Sequence, residues 1–354
     1  MNRRLNIAIV GVTGAVGETL LRVLEERDFP VDKLYPLASE RSLGKTVTFN
    51  NRQLQVLDLA SFDFSQADIG LFSAGGSVSK VFAPKAAKAG CIVIDNTSCF
   101  RYEKDIPLVV PEVNPQRIAE YKNRGIIANP NCSTIQMVVA LKPLHDAVGL
   151  SRINVATYQA VSGTGKKAIS ELIAQTGELL NGRAAKSSVY PYQIAFNVLP
   201  HIDEFLENGY TREEMKMVWE TQKIMEDETI LVNPTTVRVP VLYGHSEAIH
   251  LELKAPLTAE AARKLLAKAP GVKLVDNPEK LQYPTPINHA IGHDEVFVGR
   301  IRQDISHPKG LNLWVVADNI RKGAALNAVQ IAEKLKLMSV LLKSISQQRF
   351  NIKP

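Results

Sequence analysis

The junction where "LNIAIV" (residues 5–10) runs into "GVTGAVGETLLRVLEER" (11–27) constrains the fold more than any other stretch of the chain. The first run is a short, almost wholly apolar strand pattern, and the second opens on glycines before its apolar residues settle into helical spacing. A strand without a polar face has to be covered on both sides, and helices that follow such strands supply the cover. Strand-like runs recur at "DIGLFSA" (68–74), "CIVIDN" (91–96) and "GIIAN" (125–129), with a helical "SKVFAPKAAKA" between two of them. This alternation predicts an α/β fold with a Rossmann-like, doubly wound parallel sheet.

After residue 150 the pattern changes. "RINVATYQAVSG" (152–163), "TVRVPVLYG" (236–244), "HSEAIHLELKA" (245–255), "EVFVGRIRQDI" (295–305) and "LNLWVVADNI" (311–320) are longer and largely alternating. Alternation of that kind predicts an α+β domain with a largely antiparallel sheet. Helices are expected at "GKKAISELIAQTGELLN" and at "TREEMKMVWETQKIMEDE", where Thr211 and Glu214 have capping-box spacing. The last helix, "KGAALNAVQIAEKLKLMSVLLKSI" (322–345), is expected to pack back on the first domain. A chain of 354 residues exceeds one comfortable core. The expected division is 1–129 with 321–354 as a nucleotide-binding domain, and 130–320 as a catalytic and dimerisation domain.

Composition excludes several classes. Hydrophobic residues at 45% and charged residues at 22% are ordinary for a globular protein. The net charge of +6 comes without a dense Lys/Arg block carrying interleaved aromatics, so it suits an anionic small molecule better than nucleic acid. No apolar run reaches the length of a membrane span, and the apolar run after "MNRR" meets Gly11 before it could serve as a secretory core. The expected setting is soluble and cytoplasmic. Three cysteines, Cys91, Cys99 and Cys132, are too irregularly placed for a disulfide framework or a paired-cysteine metal site. His289 and His293 stand at ligand-like spacing but lack an accompanying acidic pattern, and no metal is expected.

Gly11, Gly14 and Gly17 between a strand and a helix form a candidate dinucleotide loop, where backbone approaches a pyrophosphate at a helix N-terminus. A tight, closely packed turn is the plain alternative. The stretch "LYPLASERSLGK" after the second strand separates NADP from NAD. Ser39, Arg41, Ser42 and Lys45 suit a 2′-phosphate, against the single acid Glu40, so NADP is favoured.

"NPNCSTIQMVVALKPL" places Cys132 where a helix should open. A free thiol is only roughly 3% thiolate at neutral pH, and a helix N-terminus or a nearby cation raises that fraction. Asn131 is a good N-cap, and the Ser133 and Thr134 amides are expected to help cradle an oxyanion. A cysteine nucleophile beside a nicotinamide suggests an aldehyde dehydrogenase or acyl-phosphate reductase working through a thioester. His245, at a strand boundary in "YGHSEA", is the candidate proton shuttle. A buried, inert cysteine is the better description of Cys91, and position alone leaves Cys99 undecided.

"GVTGAVG", "SAGGSVS", "DNTSCFR", "VPEVN", "NPNCSTIQ", "YQAVSGTGKKA", "ETQKI", "VRVPVLYGHSE" and "ADNIRKGAALNAVQIAE" together resemble the bacterial aspartate-β-semialdehyde dehydrogenase family over essentially the whole chain. The resemblance implies NADPH-dependent, reversible interconversion of L-aspartyl-4-phosphate and L-aspartate-4-semialdehyde, in lysine, methionine, threonine and isoleucine synthesis. It implies Cys132 as nucleophile, His245 as acid/base, Gln159 positioning the intermediate and Arg238 gripping the substrate carboxylate. Glu220 would meet the substrate amine, Lys223 and Arg101 the phosphoryl group, with Asn131 beside it. For the cofactor it implies Gly11, Thr13, Gly14, Val16, Ser39, Arg41, Ser42, Ser73, Ala74, Gly75, Gly76, Ser162, Gly163, Gly165 and Asn319. A homodimer through the second domain's sheet is also implied, while the segment between 180 and 215 varies in the family and inherits no role.

Plainer readings stand beside these. Glu220 and Lys223 have the spacing of an exposed intrahelical pair, Arg101 has Glu103 and Asp105 nearby in sequence, and Gln159 is also an ordinary strand residue. At the level of function, the rivals are a reductase of another acyl donor such as malonyl-CoA, and a catalytically silent NADP-binding interaction protein.

Overall fold

The computed structural model describes residues 4–350, with side chains to residue 338. The chain divides into two compact units: one built from the described parts of 1–13, 17–129 and 325–354, the other from 14–16 and 130–324.

The first unit begins with β1 (Leu5–Val10), α1 (Ala15–Glu26), β2 (Val31–Ala38), β3 (Thr46–Phe49), β4 (Arg52–Gln55) and β5 (Leu57–Asp58). It continues through β6 (Ile69–Phe72), α2 (Gly76–Lys88), β7 (Ile92–Asp95) and β8 (Ile126–Ala128). Six strands form one sheet in the order β5-β2-β1-β6-β7-β8, and every pairing is parallel. Ile7, Ile9, Val10, Leu71, Val93 and Ile94 are fully buried, as two-sided cover demands. The strand order reverses between β1 and β6, so the loops leaving those two strands open at the switch point where such sheets bind ligands. Ser73 at the end of β6 donates its N–H to the Val10 carbonyl at 2.8 Å, tying the two loops together. The β3–β4 hairpin is an addition that its short, half-polar strands did not announce.

The second unit contains α3 (Cys132–Val148), β9 (Leu150–Gln159), α4 (Lys166–Leu180), α5 (Arg212–Met225), β10 (Leu231–Arg238) and β11 (His245–Leu253). After these come α6 (Ala259–Leu266), β12 (Val272–Leu274), β13 (Val296–Gln303) and β14 (Gly310–Ala317). The sheet order is β10-β9-β11-β14-β13-β12. Its centre is antiparallel, but both edges pair in parallel, β10 with β9 and β12 with β13. The sheet is therefore mixed, because residue alternation encodes faces and not strand direction. The strand expected over 236–244 starts earlier and stops at Arg238. Pro240 has no N–H for a ladder, and Pro234 is accepted because β10 is an edge strand. The capping box of α5 forms, with Thr211 and Glu214 each bonded to the other's backbone N–H.

The helix α3 lies against one face of this sheet and is buried from Ser133 to Leu141. His245, Glu247, Ile249, Leu251 and Leu253 are the buried alternate residues of β11. Elsewhere on the sheet Tyr158 and Trp314 are partly exposed, with ring centres 5.5 Å apart. The final helix, α7 (Leu326–Phe350), belongs to the first unit. There Asn327 donates to the Val109 carbonyl and to Asn129 Oδ1, and Glu333 pairs with Arg27 at 2.7 Å. Among the described residues no helix is long and apolar enough to cross a membrane.

Candidate active site

The sequence places Cys132 at a helix opening, and α3 begins there. Asn131 is extended, and its Oδ1 accepts from the Ser133 N–H at 3.1 Å and the Thr134 N–H at 3.4 Å. Those two amides are thus committed to the N-cap, which corrects the expectation that they cradle an oxyanion. A four-residue start leaves several orphan donors, and the cap has claimed the nearest pair. The cysteines now separate by environment. Cys91 is buried and its thiol is pushed up to about 12 by desolvation, with Asp68 adding to the effect. Cys99 is half-buried and also raised, first by burial and then by Asp95. Cys132 is half-buried at the positive end of a helix.

Behind it stands α5, presenting Glu213, Lys216, Glu220 and Lys223 at helical spacing along one stripe. Glu220 is fully buried and accepts the Asn131 backbone N–H at 2.6 Å, while Lys223 is half-buried one turn on. Glu213 Oε1 accepts from Asn131 Nδ2 at 2.9 Å and from Gln159 Nε2 at 3.0 Å. Its Oε2 accepts from Lys216 at 2.9 Å. Burial alone would raise this carboxyl, but the Lys216 charge and the bonds from Gln159, Lys216 and Asn131 hold it down at about 2. Gln159 Nε2 also donates to the Ser133 hydroxyl.

Across the sheet the Ala160 peptide organises the other two groups. Its N–H donates to His245 Nδ1 at 3.0 Å, and its carbonyl accepts from Arg238 Nη1 at 2.6 Å. Because Nδ1 is an acceptor, the neutral imidazole carries its proton on Nε2. Desolvation, and after it the Arg238 charge, lower the His245 pKa to about 3, so the ring is neutral. Gly163 leaves room for this pair: a Cβ there would lie 3.1 Å from Arg238 Nη1 and 3.4 Å from His245 Nε2. The Tyr190 ring centre is 6.0 Å from the Arg238 guanidinium carbon. Tyr190 is carried by a segment that Glu171 pins through the Ser188, Val189 and Tyr190 amides.

Among the buried polar atoms without a hydrogen-bond partner are His245 Nε2, Arg238 Nε and Gln159 Oε1. Two donors and one acceptor are left unpaired among the very residues singled out for chemistry. Buried polar groups are nearly always satisfied, so these two donors and one acceptor are available to a ligand.

In the first unit the glycine loop is tightly wound. A Cβ on Gly17 would stand 2.4 Å from the Gly11 carbonyl oxygen, so helix and strand approach too closely for any other residue. Thr13 Oγ1 and Ser42 Oγ are 3.4 Å apart, bringing the loop and the end of β2 together, while Ser39, Arg41 and Lys45 are exposed. Hydroxyls, a guanidinium and bare glycine backbone suit the phosphates of a dinucleotide.

Two families match the chain: the semialdehyde dehydrogenase NAD-binding domain over residues 6–121 and the semialdehyde dehydrogenase dimerisation domain over residues 141–322. Aspartate-semialdehyde dehydrogenase of Legionella pneumophila is 74% identical over 347 residues, covering 98% of this chain and 100% of that one. The chain belongs to the aspartate-semialdehyde dehydrogenase family. The crystal structure of aspartate semialdehyde dehydrogenase II from Vibrio cholerae complexed with ASA superposes with a TM-score of 0.93 at 61% identity, covering 94% of this chain and 98% of that one. The enzyme of Candida albicans, solved with NADP, gives 0.74 at 25% identity, covering 94% and 99%.

As an aspartate-semialdehyde dehydrogenase the chain is an oxidoreductase of amino-acid biosynthesis with an NAD(P)-binding domain. The second unit brings together Asn131, Cys132, Gln159, Glu220, Lys223, Arg238 and His245 as one contiguous set of elements. Ser162 and Asn319 are bonded to each other, and Asn319 also accepts the Gly244 N–H at 2.9 Å. Arg101 lies in the first unit, where it donates to the Asn129 and Asn96 carbonyls, while Arg124 pairs with Glu103 and Asp105. Val16 is half-buried, as are Ser73, Ala74 and Gly76 around the turn after β6, with Gly75 exposed. Sequence reasoning missed Glu213, Ala160 and Tyr190. The Glu213–Lys216–Glu220–Lys223 stripe was a readable signal for the first; nothing local marks the other two.

Proposed function

We propose that this enzyme reduces L-aspartyl-4-phosphate to L-aspartate-4-semialdehyde, reversibly and with NADPH, through a thioester on Cys132. The orphaned trio of His245 Nε2, Arg238 Nε and Gln159 Oε1 carries the reading, since each has the polarity its task requires. Arg238 offers a planar fork to the substrate α-carboxylate. Gln159 Oε1 accepts from the intermediate, and Glu220 faces the substrate amine. Lys223 and Arg101 are the phosphoryl-binding cations.

The Cys132 thiolate attacks the acyl carbon and phosphate departs, splitting one difficult step into two easier ones. Gly11, Thr13, Gly14, Ser39, Arg41 and Ser42 would hold the dinucleotide, whose nicotinamide would supply the hydride that reduces the thioester carbon. His245 Nε2–H would donate to the thiohemiacetal oxygen, and collapse returns thiolate and semialdehyde. Burial is the main cause of the depressed imidazole, and a carboxylate on Arg238 offsets the second cause, the guanidinium charge. Preference for NADP over NAD rests on Arg41 and the two serines beside it. The dimerisation-domain match and the partly exposed Tyr158 and Trp314 support a homodimer through the second unit's sheet, and a cytoplasmic setting suits such an enzyme.

The deciding experiment follows NADPH formation from semialdehyde with and without inorganic phosphate. Turnover should depend on phosphate and should fall by more than about 10-fold with NAD in place of NADP. Phosphate-independent turnover that responds to coenzyme A would transfer the enzyme to thioester substrates.

A further inference from the structure

The amide ends of Asn and Gln are alike in shape and opposite in hydrogen bonding, so their usefulness depends on which end faces which neighbour. Asn131 Nδ2 and Gln159 Nε2 converge on a single atom, Glu213 Oε1, at 2.9 and 3.0 Å. Glu213 Oε2 is held at 2.9 Å by Lys216, which in turn reaches Asp203 at 2.7 Å. A carboxylate accepts only, so both amides must aim their nitrogens at it. Asn131 is thereby obliged to turn Oδ1 toward the Ser133 and Thr134 amides, and Gln159 is obliged to turn Oε1 away as an unpartnered acceptor.

We propose that Glu213 is a positioning residue that sets the amide orientation of Asn131 and Gln159 together, keeping the Cys132 helix capped and a carbonyl oxygen facing the substrate. Lys216 enforces the arrangement, since it can only donate. This inference rests on the reaction proposed above and deepens it: an orientation set by one carboxylate couples the nucleophile's helix to the group that holds the intermediate.

Glu213→Gln tests it. Lys216 will claim the single carbonyl of the new amide, leaving an NH2 group facing two other NH2 groups. Asn131 and Gln159 then flip or lose their bonds. The expected result is a fall in kcat of about 100-fold with the NADPH dissociation constant unchanged. Adding Lys216→Met frees the new carbonyl to face both amides, and the double variant should recover about 10-fold over the single one. A double variant no better than the single one overturns the proposal, because a role in packing or charge balance predicts no rescue. Glu213→Asp keeps the charge but withdraws the accepting oxygen by about 1.5 Å. It should fold and lose about 10-fold in kcat with the NADPH dissociation constant unchanged, and it decides the matter if the Gln variant does not fold; full kcat in the Asp variant also overturns the proposal. A wild type without turnover of semialdehyde would overturn the reaction and this inference together, whereas an active wild type with a fully active Glu213→Gln would overturn only the inference.

Discussion

Between residues 10 and 17 the chain presents mainly backbone: glycines, a helix start and one threonine hydroxyl. The second unit instead buries Glu213, Glu220, Arg238, His245 and Glu247, most of them at a few per cent exposure or none. The loop is shaped by the absence of side chains, and the second unit's site by hydrogen bonds that fix side-chain orientation. Two carboxylates in the second unit show how fine that control is. Glu213 has three side-chain donors and is held ionised, whereas Glu247 has Gln136 alone to lower its pKa and burial pushes that pKa well up. Location in the interior does not decide charge; the supply of donors does.

The comparison breaks first at the sulfur. Cys132→Ala should lower turnover by about 10⁴-fold or more while NADPH still binds, measured by fluorescence titration. Activity near normal would remove covalent catalysis. Next comes the loop: Gly17→Ala places a methyl 2.4 Å from the Gly11 carbonyl oxygen. It should weaken NADPH binding about 10-fold or more and destabilise the fold by about 1–3 kcal/mol, yet leave the rate of Cys132 alkylation by iodoacetamide unchanged. Equal damage to both readouts would mean that the two regions are not separable.

Smaller effects sharpen the contrast through pH. The His245 pKa is lowered to about 3, whereas an unfolded chain's histidine titrates near about 6.5. Its contribution is fully present above about 6.5 and is lost as pH falls toward 3, at up to about 1.4 kcal/mol per pH unit. Urea unfolding of His245→Gln between these limits should show a correspondingly shallower slope, and an unchanged slope would argue against a buried neutral ring. Glu247 slopes the other way: its raised pKa gives stability that is present below the ordinary glutamate range and lost as pH rises through the folded value. Glu247→Gln should therefore change stability by less than about 1 kcal/mol in mild acid and gain relative to wild type in alkali.

How much of this could be read in advance follows the range of the interactions. The opening of α3 at Cys132 was legible because an N-cap is decided by neighbours two or three residues away, and the α5 capping box was legible for the same reason. The same local reasoning erred on the Ser133 and Thr134 amides, since it counted donors without asking whether the cap would consume them. The end of β10 before Pro240 was written in the proline, although the alternating run carried past it. By contrast, Asn131 and Gln159 meet Glu213 across 82 and 54 residues, and Ala160 meets His245 across 85.

The sequence by itself determined the parallel first sheet, the glycine turn, the capped cysteine helix and the identity of the chemical groups, because apolar period, missing Cβ atoms and caps act over a few residues. Only the tertiary structure decided that His245 carries its proton on Nε2, that Glu213 is held ionised while burial raises the Glu247 pKa, and that both edges of the second sheet run parallel to their neighbours. Tautomer and ionisation are set by the donors that surround a buried atom, and those donors are assembled from distant parts of the chain.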